Sequence, residues 1–159
     1  MISDEQFTRQ AMEMSPGLHR LSISILRHEA DCLDAVQQAL LMAWAARDRV
    51  DPGRFKAYLT RIVINECHNI QRQRMRVSPV AEPPEPEPAW QPEESDLAAA
   101  IADLPHTLRL PVLLCYMENY SEKETAQALG ISLPAVKNRL FRARRALKKT
   151  LTDWEVAPE

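Results

Sequence analysis

The sequence predicts an all-α protein made of two small helical domains joined by an acidic, proline-rich linker. Only three of its 159 residues are glycine, which leaves few positions for the tight turns of an all-β protein. Six of its twelve prolines lie between residues 79 and 92, so the segments on either side are poor in helix-breaking residues. In both of those segments apolar residues recur at helical spacing, which indicates two helical units.

The distribution of charge divides the chain in the same way, although the net charge of the whole chain is −2. Residues 1–76 and 101–159 each carry a net charge of +2, whereas residues 77–100 carry six acidic and no basic side chains. This middle part has too few aliphatic side chains to form a core, which predicts a disordered linker. We expect a first domain over 1–76, a linker over 77–96 and a second domain over 97–159.

Three long helices are predicted in the first domain, near residues 17–28, 30–47 and 54–76, and a further one near 3–13. Their apolar stripes consist of Leu18, Leu21 and Ile25; of Leu33, Val36, Leu40 and Trp44; and of Phe55, Leu59, Ile62, Cys67 and Ile70. Between the last two helices, the sequence Asp-Pro-Gly at 51–53 predicts a turn.

In the second domain a short helix is predicted near 97–104. The next helix has two possible starts, because Pro111 would remove a backbone hydrogen bond from a helix that begins at Pro105. Such a helix bends at Pro111, or else the helix begins near Leu110.

Farther along, the signals for helix ends are specific. Ser121 and Glu124 have the spacing of a capping box, and Gly130 lies where a helix commonly ends. Ser132 is a good N-cap, and Pro134 is tolerated in the first turn that follows. A helix, a three-residue turn and a second helix are the elements of a helix-turn-helix.

The second helix of this pair, over residues 133–151, has one apolar and one basic side. At about 100° per residue, its apolar stripe contains Val136, Leu140, Ala143, Leu147 and Leu151. Its far side contains Pro134, Asn138, Phe141, Arg142 and Arg145. Seven basic residues and no acidic one lie between Lys137 and Lys149, which is typical of a helix that enters the major groove of DNA. A solvated basic helix is the alternative interpretation of the charge alone.

Taken together, these residues resemble the extracytoplasmic-function group of bacterial sigma factors. The C-terminal match comprises LP at 104–105, YMENYS at 116–121, ETA at 124–126, LGIS at 129–132 and VKNRLFRAR at 136–144. The N-terminal match comprises DAVQQAL at 34–40, AW at 43–44, FKAYLTRI at 55–62 and Asn65. The first resembles region 4, which reads the −35 promoter element. The second resembles region 2, which docks on core RNA polymerase and opens the −10 element.

The resemblance and the basic helices together imply two contacts with promoter DNA. The residues expected at the −35 element are Ser132, Lys137, Asn138, Phe141, Arg142 and Arg145. Those expected at the −10 element are Lys56, Arg61, Asn65, Asn69 and Arg72. The basic residues of 54–76 are Arg54, Lys56, Arg61, Arg72, Arg74 and Arg76, against Glu66 alone. That net charge of +5 is enough to follow a phosphate backbone.

Melting of the −10 element in this family captures an extruded base, and the resemblance places the pocket for it near Phe55 and Tyr58. Residues 48–54 then form the loop beside the pocket. Because aromatic residues at helical spacing usually pack in a core, a core position is the alternative for both rings.

The resemblance also implies core RNA polymerase as a partner. The expected docking residues are Asp34, Gln37, Gln38, Leu41 and Trp44, and a solvated helix face is the alternative. Gln38 stands where the family usually has a glutamate, so a neutral amide replaces one charged contact. An anti-sigma factor is a further expected partner.

Two hypotheses concern the acidic linker. As in the family, it follows the basic RNA-exit path of the polymerase, or its carboxylates contact the basic helices of the free protein. Two other function classes are also possible: a stand-alone helix-turn-helix regulator, and a protein that only sequesters an anti-sigma factor. A stand-alone regulator would not need the block over residues 34–44.

The chemistry-bearing residues predict no cofactor, metal or enzyme activity. Cys32, Cys67 and Cys115 are odd in number, which fits reduced thiols in a cytosolic protein. His28 with Cys32 and Cys67 with His68 could supply four zinc ligands, but neither spacing is that of a compact zinc motif. No phosphate-binding loop, nucleophile elbow or paired-carboxylate motif is present.

The sequence also predicts a cytoplasmic protein without membrane insertion. Its first residues lack the basic region and apolar core of a secretory signal. Its purest apolar run, residues 110–117, has eight residues, whereas a membrane-spanning helix needs about 20.

Overall fold

The computed structural model describes residues 2–77 and 96–156, and within those ranges the regular structure is helical, without strands. The α-helices there are α1 Asp4–Leu26, α2 Glu29–Ala45, α3 Phe55–Val77, α4 Asp96–Ala102, α5 His106–Val112, α6 Glu122–Leu129 and α7 Leu133–Val156. Two short 3₁₀ turns, Arg47–Arg49 and Pro52–Arg54, join α2 to α3, and a π-helical turn, Leu113–Met117, follows α5. The predicted all-α class is confirmed. The predicted linker lies almost entirely outside the described residues.

The chain divides into two compact units. The first contains α1, α2 and α3 together with Gln127–Gly130, and the second contains α4, α5, α7 and the rest of α6. No helix in the described residues is both long enough and apolar enough to cross a membrane.

The N-terminal helix α1 runs without a break through Pro16. The prediction of separate helices over 3–13 and 17–28 is therefore wrong. Pro16 removes one backbone hydrogen bond, but the buried side of the helix continues across it, from Ala11 to Leu18. These two residues are seven apart, about two helical turns, so they lie on the same side. Burial of that side stabilises the helix across the proline.

The core side of α2 is lined by small residues. Its fully buried side chains are Cys32, Ala35, Ala39 and Ala43. The predicted stripe is wrong at its two ends, because Leu33 is 55% exposed and Trp44 is 37% exposed, whereas Val36 and Leu40 are half-buried. Each residue of the observed stripe precedes a predicted one by a single position, which is about 100° of rotation. Small side chains at a helix contact allow a close approach of the neighbouring helices.

The third helix, α3, begins directly after the predicted turn, where Asp51 Oδ1 accepts a hydrogen bond of 3.0 Å from the amide of Gly53. Its core side contains Phe55, Leu59, Ile62 and Cys67, as predicted, and all four are buried.

In the second unit, α5 begins at His106 and contains Pro111. Of the two predicted starts, the one near Leu110 is wrong. A proline lacks the amide hydrogen and crowds the preceding turn, and the wider π-helical turn follows it directly. In that turn the amide of Glu118 donates to the carbonyl of Leu113 over 3.0 Å. The turn bends the chain toward α6.

The predicted helix-turn-helix signals are confirmed. The amide of Ser121 donates to Glu124 Oε1 over 2.9 Å, and the amide of Glu124 donates to Ser121 Oγ over 3.0 Å, which completes the capping box. Gly130 has φ +68°, a conformation that is costly for residues with a Cβ atom. Ser132 Oγ accepts a hydrogen bond of 3.2 Å from the amide of Ala135 and so caps α7.

The core of the second unit fixes the orientation of α7. Its buried members are Ile101, Leu104, Leu108, Val112, Ala126, Val136, Leu140 and Ala143. The first three residues of the predicted α7 stripe, Val136, Leu140 and Ala143, are thus buried, and the opposite side of the helix faces outward.

Candidate functional site

The outer side of α7 presents the residues expected at the −35 element. Ser132, Lys137, Asn138, Phe141, Arg142 and Arg145 are all exposed. Phe141 is 52% exposed, and the guanidinium carbon of Arg145 lies 5.8 Å from the centre of its ring. A cation at that distance from an aromatic ring is weakly attracted to it, so Arg145 covers part of Phe141 and keeps its charge in solvent. This surface combines hydrogen-bond donors with one apolar group.

Polar and basic side chains form a row along one side of α3. Arg61, Asn65, Asn69 and Arg72 are spaced by three or four residues and therefore share one side of the helix. Arg54, Tyr58 and Arg76 continue the row at both ends, so that it extends over about 33 Å at 1.5 Å per residue. The structure thus brings together four of the five residues expected at the −10 element.

The fifth residue, Lys56, lies elsewhere. It is half-buried, and at about 100° per residue it falls on the opposite side of α3 from Asn65. It therefore does not belong to the row on α3.

Within the row, hydrogen bonds orient the amide of Asn69. Its nitrogen donates to Glu66 Oε1 over 3.4 Å, and its oxygen accepts a hydrogen bond from the guanidinium of Arg72. These partners fix the amide orientation that a base would meet. Asn65, by contrast, is exposed.

His68 also lies on this side of α3, between Asn65 and Arg72, although it was not among the residues expected at the −10 element. It is half-buried. Burial, and then the charge of Arg72, lower its pKa from the ordinary 6.5. The signal available in the sequence was its spacing, since His68 follows Asn65 by three residues and precedes Arg72 by four.

The two aromatic residues expected near a base pocket have different environments. Phe55 is fully buried, and its ring centre lies 5.3 Å from that of Phe7, so its ring packs in the core, which is the alternative expected for it. Tyr58 is half-buried and lies in the row on α3. Only Tyr58 can offer part of its ring to an extruded base.

Arg74, counted above among the basic residues of α3, forms an ion pair with Asp31 at the start of α2. Nearby, Gln71 Nε2 donates to the carbonyl of Ile25, close to the end of α1, over 3.1 Å. These contacts attach the end of α3 to the two preceding helices. Arg74 is therefore a structural cation, and the charge available to DNA on α3 is smaller than the sequence suggested.

The outer face of α2 is opposite to its small-residue core side. Asp34, Gln37, Gln38 and Leu41 are exposed there, Leu41 to 59%. Leu33 and Trp44 lie on the same face, at helical spacing from Gln37 and Leu41. One exposed leucine is ordinary, but neighbouring apolar side chains on a helix are typical of an interaction surface. We call Leu33, Gln37, Leu41 and Trp44 the docking face.

Trp44 belongs to both the docking face and the core. Its ring meets that of Phe7 edge-on, with 5.0 Å between their centres. The guanidinium carbon of Arg47 lies 3.7 Å from the centre of the indole ring, and Arg47 also donates to the carbonyl of Trp44 over 2.9 Å. Packing thus fixes the ring before any partner arrives.

Two of the three cysteines, Cys32 and Cys67, are fully buried, and Cys115 is half-buried. Burial raises the pKa of Cys32 to about 12 and that of Cys67 to about 11, so both are thiols at neutral pH. Zinc binds thiolates. Within residues 2–77 and 96–156, no group of three or more His, Cys, Asp or Glu side chains is placed to hold a metal ion.

Two family models match the chain. The model of sigma-70 region 2 matches residues 11–77, and that of sigma-70 region 4 matches residues 95–147. The first match covers α2, α3 and most of α1, and the second covers the helix-turn-helix. The two candidate DNA surfaces therefore lie in different family regions.

Similar curated proteins include three sigma factors. CnrH of Cupriavidus metallidurans is 33% identical over 142 residues, which cover 77% of this chain and 74% of CnrH. The ECF RNA polymerase sigma factor SigM of Mycobacterium tuberculosis is 34% identical over 142 residues, which cover 84% and 71%. SigE of Mycolicibacterium smegmatis is 29% identical over 163 residues, which cover 95% of this chain. The chain spans only 62% of the length of SigE.

Two solved structures have the same fold. The sigma factor RpoE in complex with the anti-sigma factor NepR from Bartonella quintana has a TM-score of 0.72 at 25% identity, covering 92% of this chain and 96% of RpoE. CnrH in complex with the cytosolic domain of CnrY has a TM-score of 0.67 at 28% identity, covering 92% and 87%. With both sigma-70 regions present in order and relatives above 30% identity, this chain belongs to the extracytoplasmic-function group of the sigma-70 family.

Proposed function

We propose that this protein binds core RNA polymerase and directs it to particular promoters, reading the −35 element with α7 and helping to open the −10 element with α3. The observation that carries the proposal is the docking face on α2. A stand-alone helix-turn-helix regulator needs only the surface on α7 and has no use for an exposed apolar face on a helix of the other unit. The proposed domains are residues 1–76 and 97–159, joined by residues 77–96.

At the −35 element, the N-terminal half of α7 enters the major groove. Lys137, Asn138 and Arg142 then reach base edges, and Phe141 contacts a thymine methyl group. Ser132 uses its oxygen as a cap, and its hydroxyl hydrogen can be donated to a phosphate at the start of the helix. Base edges supply the specificity, and phosphates supply most of the affinity.

At the −10 element, the row on α3 holds the separated strand. Unstacking a base costs a few kcal/mol. Hydrogen bonds from Asn65 and Asn69 to the base, together with phosphate contacts from Arg61 and Arg72, offset that cost. Because the amide of Asn69 is already oriented by Glu66 and Arg72, little side-chain entropy is lost when a base binds.

When the docking face binds the polymerase, Leu33, Leu41 and Trp44 become buried. The polar side chains of Asp34, Gln37 and Gln38 form hydrogen bonds at the edge of the interface. Interfaces of this kind have an apolar centre and a polar rim. The protein acts by binding alone, in the cytoplasm with the polymerase. Since RpoE and CnrH are each solved with a partner described as an anti-sigma factor or a cytosolic domain, an anti-sigma factor is the second proposed partner.

Run-off transcription with purified core RNA polymerase tests the proposal. Promoter fragments are first selected from genomic DNA with the assembled holoenzyme. We expect specific transcripts with the wild-type chain, and a loss of about fivefold or more with Leu41→Ala, since truncation of an interface residue that contributes strongly to binding costs about 1 kcal/mol or more. Met12→Ala removes an exposed apolar side chain of α1, is the matched control and should initiate normally. Specific promoter binding without polymerase, together with no initiation, would instead favour the stand-alone regulator.

A further inference from the structure

We propose that Tyr116 and Arg144 together form a binding site for one phosphate of the DNA backbone, beside the base-reading residues of α7. The inference rests on the proposed −35 recognition and adds a contact to which Tyr116, outside the recognition helix, contributes. Neither residue was among those expected at the −35 element.

The two residues lie in different elements and meet at the surface. Arg144 Nη1 donates to the phenol oxygen of Tyr116 over 2.6 Å, although the residues are 28 positions apart. Both side chains are exposed, Tyr116 to 51%. Among the described residues, Arg144 forms no ion pair with a carboxylate. Its charge is therefore neutralised by no neighbour in that part of the chain.

The π-helical turn accounts for the position of Tyr116. Within the turn, Leu114 is buried in the second unit, whereas Tyr116 and Met117 face solvent. Between them, Cys115 Sγ lies 3.2 Å from Thr125 Oγ1 of α6. The buried Leu114 and the hydrogen bond of Cys115 hold the two residues that precede Tyr116. The backbone from which Tyr116 projects is therefore fixed. Turns of this type often occur at functional sites.

The donors of the pair converge. Because the phenol oxygen accepts a hydrogen bond from Arg144, the phenol hydrogen is directed elsewhere and can be donated. A guanidinium has five N–H donors, and only one is used here. A phosphate oxygen next to the phenol can therefore accept from Tyr116 and Arg144 together. Arginine is well suited to this, since its planar donors match the geometry of a phosphate.

The location of the pair suits the DNA backbone rather than a base. Arg144 lies on the flank of α7 that also carries Lys137, Phe141 and Lys148, at helical spacing from each. A phosphate held by Tyr116 and Arg144 would lie next to the groove that Lys137 and Phe141 enter. Such a contact fixes the depth and register of the recognition helix and carries no base information itself.

The test uses the full chain in the polymerase holoenzyme, with promoter affinity measured over a range of salt concentrations. Tyr116→Phe keeps the ring and removes only the oxygen, and Arg144→Gln keeps a polar side chain and removes the charge. Arg9→Gln, on the exposed side of α1, is the matched control for loss of one positive charge. Thermal unfolding of each variant is measured in parallel.

We expect Arg144→Gln to lower affinity by about tenfold or more and Tyr116→Phe by about threefold to tenfold, because Arg144 offers the phosphate a positive charge and several donors, whereas Tyr116 offers one neutral donor. The double variant should bind no worse than Arg144→Gln alone. The losses should be equal for all −35 sequences, and the salt dependence for Arg144→Gln should flatten by about 0.9 in logarithmic slope. Arg9→Gln should match the wild type.

A second measurement locates the phosphate. Promoters with a neutral methylphosphonate at single backbone positions are compared, and at one position the substitution should weaken the wild type but not Arg144→Gln. If Tyr116→Phe lowers only the unfolding temperature, or if no position shows this pattern, the pair is a structural contact and the inference is wrong. If the wild-type holoenzyme shows no promoter preference, the proposed function itself has failed.

Discussion

Phe7 of α1 lies edge-on against Trp44 of α2, with 5.0 Å between the ring centres and 75° between the ring planes. The same Phe7 ring lies 5.3 Å from the ring of Phe55, the first residue of α3. One aromatic side chain thus joins the end of α2, which carries the docking face, to the beginning of α3, which carries the residues proposed for the −10 element. Residues of α1, α2 and α3 therefore share one packed contact.

Trp44 and Leu41 should differ in what their removal costs. Trp44→Ala removes the contacts with Phe7 and Arg47 as well as part of the docking face. We expect it to lower the free energy of unfolding by about 1–3 kcal/mol, less than for a fully buried tryptophan because part of the ring is exposed, and also to weaken polymerase binding.

Leu41→Ala should weaken polymerase binding while changing the free energy of unfolding by less than about 0.5 kcal/mol, as is usual for surface substitutions. Urea unfolding and polymerase binding, measured on Trp44→Ala and on Leu41→Ala, check these two predictions. Equal losses of stability would contradict the division of roles.

The small-residue side of α2 makes a second prediction. Ala39 is fully buried, so Ala39→Leu should overpack the contact with the neighbouring helices and cost about 1–3 kcal/mol of unfolding free energy. Leu33→Ala, at the exposed position of the predicted stripe, should cost less than about 0.5 kcal/mol. Urea unfolding of the two variants decides between the observed and the predicted core side, since the reverse order would restore the predicted stripe.

This difference shows where sequence patterns are sufficient. The roles of Ser121, Glu124 and Gly130 follow from local rules and were predicted correctly. The first two satisfy backbone hydrogen bonds within a few residues, and Gly130 permits a positive φ. The core side of α2 depends on partners far along the chain. Its alanines gave a weaker apolar signal than the larger side chains one position later, of which Leu33 and Trp44 are exposed on the docking face and Val36 and Leu40 are half-buried.

The proposed −10 site was predictable to a similar degree. Helical spacing alone places Arg61, Asn65 and Asn69 on one side of α3. The same spacing puts Arg74, nine residues after Asn65, on the opposite side, but it could not show that Arg74 is paired with Asp31 of another helix. Tyr116 was missed as a candidate ligand because its exposure results from the π-helical turn, which no local sequence rule predicted.

The thiols should react in an order set by burial. Cys32 and Cys67 are fully buried, with pKa values raised to about 12 and about 11, so at pH 8 the reactive thiolate is scarce and inaccessible. Cys115 is half-buried, and although burial raises its pKa, the Thr125 hydrogen bond opposes that shift. Iodoacetamide should modify Cys115 first, and all three only after unfolding. Mass spectrometry of the peptides checks the order, and early modification of Cys32 would contradict the packing of α2.

His68 should make the protein less stable in mild acid. Its pKa in the folded chain lies below the ordinary 6.5 because of burial and then Arg72. Below pH 6.5 the unfolded chain therefore binds more protons at this residue than the folded chain does. Stability then falls as the pH falls from about 6.5 toward the lower folded pKa.

The variant His68→Gln cannot titrate and should lose this part of the pH dependence. Urea unfolding from pH 7.5 to pH 5 should show a shallower decline for the variant than for the wild type. Identical slopes would mean that the proton affinity of His68 does not change on folding.

The last prediction separates base reading from phosphate binding on α7. Arg142 lies on the outer side of the helix, toward the base edges, whereas Lys148 is about a turn and a half farther along the helix, on the flank. Arg142→Ala should relax base preference at one or two −35 positions, each worth about 1–3 kcal/mol of discrimination. Lys148→Ala should lower affinity for all −35 sequences alike and reduce the salt dependence by about one phosphate contact. Holoenzyme binding to a set of single-base −35 variants at several salt concentrations distinguishes the two patterns. If both substitutions relax base preference equally, the assignment of the outer side of α7 to base reading is wrong.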